Sequence, residues 1–589
     1  MTSSHWNQID FKKAYNILCA QVPGLNPQKS LTPTFCKVKK DEETLLHSHY
    51  EKEIFYVISG RGIFLINQDQ LEVTAGELIH IPSHSPHQLK NFSEEDLVFI
   101  SIYVPQEEVD INFTKVFITT APPTPNGPLH LGHISGPYLV ADILKRYYQQ
   151  LNISVLHLSG TDDHQNYVEI KALKNQENIN IFLNNRRSQI LLGFEKNQIE
   201  VDHFQHPSQE NLYQEQVKTF FNQARDRNII ETCEVSMPIC NFCDHLLVDG
   251  LVEATCPHCL APSSGCCENC GLVVMPAELK QISCSQCHRS ADFKKMPVMT
   301  FDLKKNLHLL LEKSSFYKNL PQKMQNLLIY LGKFKNKKLL IAYPQFSKKQ
   351  RGIKTPDEDQ LIIHVWFEMA ANYYYLSQQH TNKKTLWIHN CGIDNAFYYL
   401  FFIPALCLAL DKDINLPSQY LINDFLFLNG KKFSTSRNHA IWAHEHLFDS
   451  DLLRLYLLSH RPEYQTTNFE VADYLYFEKK WKKKLALLKE KLDLEKNQYP
   501  LEKQSSNFYS NPRETFLQRW DKWLHDFHQC LLSMNKDFRY LSKLIEFMID
   551  ETLHQNLTPE ELNLAQKNLR FCLSPLMPEF SRKMTKELL

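Results

Sequence analysis

The stretch TPNGPLHLGH, residues 124–133, decides how this chain is read. It follows an apolar run, KVFITTAPP, that reads as a strand, and it leads into ISGPYLVADILKRYYQQL, which reads as a helix. His130 and His133 therefore stand at a helix start, where main-chain N–H groups and imidazoles can meet phosphate oxygens and the charge that develops on them. A further strand, SVLHLSGTDD, comes after the helix. Such alternation predicts a parallel, doubly wound α/β sheet. Alone, H-x-G-H is a weak signal. Downstream, however, GKKFSTSR (residues 430–437) offers a second phosphate-binding candidate with Lys432 as its cation, and VWFEMAANYY and HNCGIDNAFYY lie between the two.

Upstream the pattern differs. Residues 31–108 contain short strand-like runs such as YVISGRGIFLI, LEVTAGELIHIP and LVFISIYV, the rhythm of an antiparallel sandwich or barrel. Within them HSHYEKE has the spacing H-x-H-x₃-E, with Gly60 permitting a turn. Histidines at i and i+2 of a strand share a face. A second segment, GELIHIPSHSPHQLKN, supplies His87. His47, His49, Glu53 and His87 make a three-imidazole, one-carboxylate set suited to Zn²⁺, Fe²⁺ or Mn²⁺. His84 is an alternative ligand or pocket residue.

At 589 residues the chain is too long for one core. Its net charge of −1 sets up no global field for polyanions. No secretory signal is read at the N-terminus, and the longest apolar run, YYLFFIPALCLAL, falls short of the roughly 20 residues that a spanning helix needs. A cytoplasmic protein without membrane partners is expected. Of 16 cysteines, eight form four C-x-x-C pairs: Cys240/Cys243, Cys256/Cys259, Cys267/Cys270 and Cys284/Cys287. That spacing favours metal over disulfides. Cys391 and Cys407, in apolar surroundings, read as small buried residues. The division expected is a helical extension over 1–30, a β domain over 31–110, an α/β domain over 111–448 with a cysteine-rich insertion at 233–290, and a helical domain over 449–589. In the last, KKWKKK reads as a solvated helix face rather than a phosphate contact.

Residues 31–108, with the two segments around His47 and His87, resemble the cupin superfamily. The motifs from HLGH to GKKFSTSR, in that order, resemble a class I aminoacyl-tRNA synthetase, specifically methionyl-tRNA synthetase. That resemblance implies a Rossmann-like catalytic domain, ATP with Mg²⁺, and a helical bundle of the anticodon-binding kind, although no base-reading residue can be matched onto it. It further implies that His130 and His133 serve as the HIGH signature, that Gly392 and Asp394 hold the ATP ribose, and that Asp162 receives the substrate's α-ammonium group. Lys432 matches the first lysine of the KMSKS loop, and Thr435 stands in place of the second. The outer cysteine pairs would share one structural Zn²⁺ and the inner pairs another, with Cys266 leaving the inner set slightly ambiguous. Trp366 and Tyr373 match the amino-acid pocket, but Met369 fills a position that is small in methionine enzymes, and Tyr398 and Tyr399 replace Phe-His. A larger residue leaves less volume, so an amino acid smaller or more polar than methionine, such as glycine or serine, is expected.

A cupin ahead of such a domain resembles the hydrazine synthetases of specialised metabolism. This resemblance implies adenylation of an amino acid, its transfer to the oxygen of an N-hydroxylated amine such as N6-hydroxylysine, and rearrangement of the ester in the cupin to form an N–N bond. An amine N-hydroxylase would act alongside, and tRNA would not be a substrate. The N–O bond is the internal oxidant, so a redox-inert cupin metal, Zn²⁺, suffices. Two other readings stand beside this one. They are a methionyl-tRNA synthetase with a regulatory cupin, and a non-catalytic binding protein descended from a synthetase.

Overall fold

The structure is a computed structural model. It describes residues 11–14, 17–21, 32–44, 46, 52–66, 69–81, 85, 87–104, 112–313, 322–335, 337–345, 351–357, 361–433, 439–463, 465–493, 516–533 and 536–586. These fall into two compact units, one within 1–111 and 483–572, the other within 112–482 and 573–589.

In the first unit, strands Lys52–Ser59 and Arg61–Ile66 alternate buried and exposed positions, as one-face burial requires. Gly60 links them at φ +82°, where a Cβ would stand 2.7 Å from the Asp96 carbonyl oxygen. A six-stranded sheet contains Thr32–Val38, Leu97–Val104, Lys52–Ser59 and Leu78–Ile81 as neighbours, and a three-stranded sheet orders Asp69–Thr74, Arg61–Ile66 and His87–Lys90. Val38, Phe55 and Phe99 from the larger sheet share one core with Phe64, Val73 and Leu89 from the smaller. Where residues of the expected helical extension over 1–30 are described, they are not helical. Lys12–Ala14 and Ile17–Gln21 are strands that prolong the larger sheet, Cys19 opposite Cys36, and Ile17 enters the core. Helix-favouring residues such as Lys, Ala and Leu are a weak prior beside an open sheet edge and a core to bury against.

The second unit is built on a parallel sheet in the order His203–Gln205, Ser154–Gly160, Lys115–Thr120, Thr385–Gly392, Gln419–Asn423. In chain order this is 3-2-1-4-5. The direction of winding therefore reverses between Lys115–Thr120 and Thr385–Gly392, and the crevice outside their carboxyl ends is the place for a ligand. Strand Lys115–Thr120 is buried along nearly all its length, as a strand covered on both faces must be. HLGH, GTDD and GID all follow strands of this sheet at that end. A second, antiparallel sheet joins Ile230–Cys240, Asp292–Asp302, Lys338–Tyr343 and Ile362–Ile363, and carries a ribbon, Val252–Thr255 with Lys280–Cys284, among the cysteines.

Beyond residue 450 the described chain is helical apart from a short strand at Thr467–Phe469. The buried Arg454 donates to Asp142 at 2.6 Å and to the carbonyls of Pro575 and Leu576, tying the last helices of this unit to its core. In Val471–Asp493, Trp481 is buried while Lys479, Lys480, Lys482 and Lys483 are exposed, the pattern of a solvated face around one anchoring side chain. Among the described residues no helix is long and apolar enough to cross a membrane.

Candidate functional site

Leu131–His133 opens a helix that passes through a π turn, Ile134–Tyr138, into Leu139–Gln150. The His130 and His133 rings stack at 3.8 Å between centroids, and the main-chain N–H of His130 donates to Nδ1 of His133 at 3.2 Å. That bond leaves the hydrogen of neutral His133 on Nε2. Burial lowers His133 to about 4 and, together with His133 and Lys432, carries His130 well below its ordinary value. Both are thus neutral hydrogen-bond donors near pH 7 in the ligand-free protein, not cations. Phe433 stacks on His130 at 4.7 Å and brings the segment after Lys432 against HLGH. A Cβ on Gly132 would lie 3.0 Å from the His130 ring. Gly392 has the same role at the other strand end, where a Cβ would meet Asp394 Oδ1 at 2.4 Å. Lys432 pairs with Glu268 and lies 4.0 Å from the Phe425 ring centre. Burial raises the Asp394 carboxyl, and Lys432 opposes that shift. His130, His133, Gly392, Asp394 and Lys432 therefore share one neighbourhood. Thr435 lies outside the described residues.

Asp162, after the second strand, is buried, and its Oδ1 has no hydrogen-bond partner among the described residues. Burial, then Glu368, Asp163 and Asp249, push its carboxyl well up. Glu368 is bound by His164 Nδ1 at 2.9 and 3.0 Å, and Asp163 is paired with Arg187. Helix Val365–His380 carries the opposite wall. Trp366 stacks on Tyr398 at 3.7 Å, the ring planes nearly parallel, and meets Tyr399 edge-on at 5.6 Å. Tyr373 lies 5.3 Å from Tyr399 and its hydroxyl meets His389 Nδ1 at 2.9 Å. Met369 is buried on the same helix. The structure thus brings Trp366, Tyr373, Tyr398 and Tyr399 together.

The cysteines form two sets, Cys240, Cys243, Cys284 and Cys287, and Cys256, Cys259, Cys267 and Cys270, with the sulfurs of each set within 4.8 Å of one another. Outer pairs join outer pairs, and inner join inner. Sulfur separations of 3.6 Å (Cys240–Cys287), 3.7 Å (Cys256–Cys270) and 3.4 Å (Cys259–Cys267) approach the edge of about 3.8 Å that a tetrahedron with Zn–S bonds of ~2.3 Å requires. Both donor sets therefore fit a closed, structural ion. Cys266 stands apart: its thiol meets the Asp394 carbonyl at 3.0 Å.

In the β domain, His47, His49 and His84 lie outside the described residues. Glu53 and His87 are both buried, and His87 Nε2 stands 3.2 Å from Glu53 Oε2. The other ring nitrogen, Nδ1, donates to the Ser85 carbonyl at 2.8 Å, which turns Nε2 toward Glu53, while the Ser101 hydroxyl donates to Glu53 Oε1. An imidazole and a carboxylate that face each other, each held from behind, could both donate to a divalent metal ion. Ser101, Ser85, His164, Glu368, Phe433 and Glu268 were not signalled by the sequence. Each meets its partner only through long-range folding or through the main chain.

A parallel sheet with paired histidines after its first strand and a lysine loop after its last defines the nucleotide-binding core of class I aminoacyl-tRNA synthetases. Residues 116–486 match the family described as tRNA synthetases class I (M), and the chain belongs to that family. Residues 34–103 match the cupin domain. The chain is 28% identical over 403 residues to a methionine–tRNA ligase of Pyrococcus furiosus, which covers 61% of this chain and 53% of the relative. It is 29% identical over 403 residues to that of Thermococcus onnurineus, with the same coverage. It thus spans about half the length of these curated relatives. In fold it is similar to a methionyl-tRNA synthetase of Mycobacterium tuberculosis solved in complex with methionyl-adenylate, with a TM-score of 0.60 at 16% identity, covering 80% of this chain and 93% of that one.

Proposed function

We propose that this protein is an ATP-dependent hydrazine-forming ligase. The synthetase core adenylates a small or polar amino acid and transfers it to the oxygen of an N-hydroxylated amine, with N6-hydroxylysine as the acceptor expected. His130 and His133, neutral and at a helix start, donate hydrogen bonds to phosphate oxygens as the carboxylate attacks the α-phosphate. Lys432 leaves Glu268 to meet the departing pyrophosphate. Asp162 receives the α-ammonium group, which restores the charge that its acidic neighbours oppose. The hydroxylamine oxygen then attacks the adenylate carbonyl, AMP leaves, and the hydroxyl proton passes to solvent.

In the cupin, the α-amine of the ester attacks the hydroxylamine nitrogen. The N–N bond forms as the N–O bond breaks, the electron pair departs with the carboxylate, and the amine loses a proton. No outside oxidant or reductant is needed, and the ester makes the attack intramolecular. A divalent ion bound there supplies Lewis acidity to the departing carboxylate. Glu53 and His87 would hold it, with His47 and His49 as the remaining ligands proposed from the sequence. Zn²⁺ suffices for this role, and Zn²⁺ is likewise proposed for the two cysteine sets.

The observation that carries this reading is the buried Glu53–His87 pair, oriented by Ser101 and Ser85, in one chain with a synthetase core in which Met369 is buried on the helix that carries Trp366 and Tyr373. Glu53→Gln tests it. The variant is expected to retain amino-acid-dependent pyrophosphate exchange and to accumulate the ester or its hydrolysis products in place of hydrazine. Loss of exchange, or undiminished hydrazine, contradicts this division of labour. The second reading, a methionyl-tRNA synthetase with a regulatory cupin, is favoured by the relatives at 27–29% identity. Transfer-RNA charging distinguishes the two.

A further inference from the structure

Next to the Trp366–Tyr398 stack lies a cleft of about 400 Å³, its solvent-filled mouth included. Asp249, Ser264, Gly265 and His364 line it along with the two stacked rings. None of the roles assigned above uses Asp249 or His364.

Asp249 is built into this wall rather than left on a surface. Its backbone sits at φ +49°, in the left-handed region that a non-glycine residue occupies only when its surroundings hold it there. The turn is pinned from both sides. Asn166 accepts from the Gly250 N–H at 3.0 Å and donates to the Val248 carbonyl at 2.7 Å, and Ser285 donates to the Gly250 carbonyl at 2.7 Å. His364, only 6% exposed, caps helix Val365–His380 by accepting the Trp366 N–H at Nδ1. Its hydrogen is therefore on Nε2, which faces Asp249 Oδ2 at 3.3 Å. A neutral imidazole in that position orients the carboxylate without cancelling its charge.

The surrounding acids, Asp162, Asp163, Asp249 and Glu368, outnumber the guanidinium cations Arg187 and Arg351, the latter acting on His164. Asp163 has Arg187 and Glu368 has His164, whereas the buried Asp162 Oδ1 has no hydrogen-bond partner among the described residues. Asp249 is one of the three acids acting on Asp162, so the two carboxylates lie within one electrostatic neighbourhood. A ligand that enters here with two ammonium groups, or two ligands with one each, would satisfy both. Asp162 is already assigned the α-ammonium of the activated amino acid.

We propose that Asp249, oriented by His364, is a second ammonium-binding subsite that seats the acceptor amine beside the Trp366–Tyr398 wall. The inference rests on the reading that the acceptor is an N-hydroxylated amino acid. A neutral ribose hydroxyl, the acceptor in the alternative reading, could form no ion pair with this carboxylate.

The test uses the full chain, ATP, the amino acid that supports the most exchange, and two acceptors, N6-hydroxylysine and its Nα-acetyl derivative, which lacks the ammonium charge. Ester formation is followed by mass spectrometry. The wild type is expected to prefer the free amine in kcat/KM by about 10- to 100-fold, the worth of a hydrogen bond to a charged group. In Asp249→Asn that preference should collapse toward unity, chiefly through KM, because the variant loses affinity only for the charged acceptor. His364→Gln, a second variant should the first fail to fold, is expected to reduce the preference in part. An unaltered preference in either folded variant, or equal losses with both acceptors, overturns the subsite. Wild-type exchange without ester from either acceptor instead removes the hydroxylamine reading, and the subsite with it.

Discussion

Met369→Ala tests the pocket most sharply. The substitution deletes three heavy atoms from a side chain that is 4% exposed, on the helix face that also carries Trp366 and Tyr373. Truncating a buried methionine costs about 2–5 kcal/mol of stability when the space stays empty. The same space becomes available to a ligand. Each methylene-sized group accommodated or refused in such a pocket is worth about 1–3 kcal/mol, and methionine extends beyond serine by two such groups. The relative preference for methionine over serine should therefore rise by about 2–6 kcal/mol, or ~30- to 20,000-fold in kcat/KM. The assay is pyrophosphate exchange with glycine, alanine, serine and methionine, on wild type and variant. Saturating methionine should also recover part of the lost melting temperature, since a ligand that fills the cavity binds only the folded state. A wild type that already activates methionine best, or a variant with an unchanged profile, refutes the argument that Met369 restricts the pocket.

Three further outcomes are expected. Ser101→Ala removes the hydroxyl that orients Glu53 and should weaken divalent-metal binding at the cupin by about 10- to 100-fold, measured by chelator competition; unchanged affinity would show that Glu53 is not a ligand. His133→Ala should abolish exchange while the same protein still rearranges chemically synthesised ester, and failure on that ester would argue for one composite site. His157 is wholly buried and lowered by burial to about 4, against 6.5 when unfolded. Between those values the unfolded chain holds a proton that the folded one refuses, so stability is full above pH 6.5 and falls by about 3 kcal/mol as pH drops to 4. In His157→Gln, denaturant melts at pH 5–7 should show a shallower pH slope by up to one proton; an identical slope would assign the acid sensitivity elsewhere.

What was legible in the sequence was mostly local. C-x-x-C pairs declare their chemistry over four residues, and their pairing outer with outer could be stated because a known family carries that pattern. The parallel sheet was legible as alternation of strand and helix around HLGH. The antiparallel sheet that spans Ile230 to Ile363 was not, because it pairs Ile230 with Phe301 and leaves no short-range period. The same distance hid His164–Glu368 and Lys432–Glu268, which lie 204 and 164 residues apart. The N-terminal strands were not legible because they form only against a sheet edge supplied by residues further along the chain. Met369 and the two tyrosines stood out only against the pattern of the methionine enzymes. The stacking of Tyr398 on Trp366 emerges only in three dimensions.

The most direct measurement is a single incubation of purified protein with ATP, a panel of amino acids and N6-hydroxylysine labelled with ¹⁵N at N6, read by mass spectrometry. The account predicts AMP release and a product in which the labelled nitrogen is bonded to the α-nitrogen of one small or polar amino acid. Brisk loading of methionine onto transfer RNA, with no product that depends on the hydroxylamine, would contradict it.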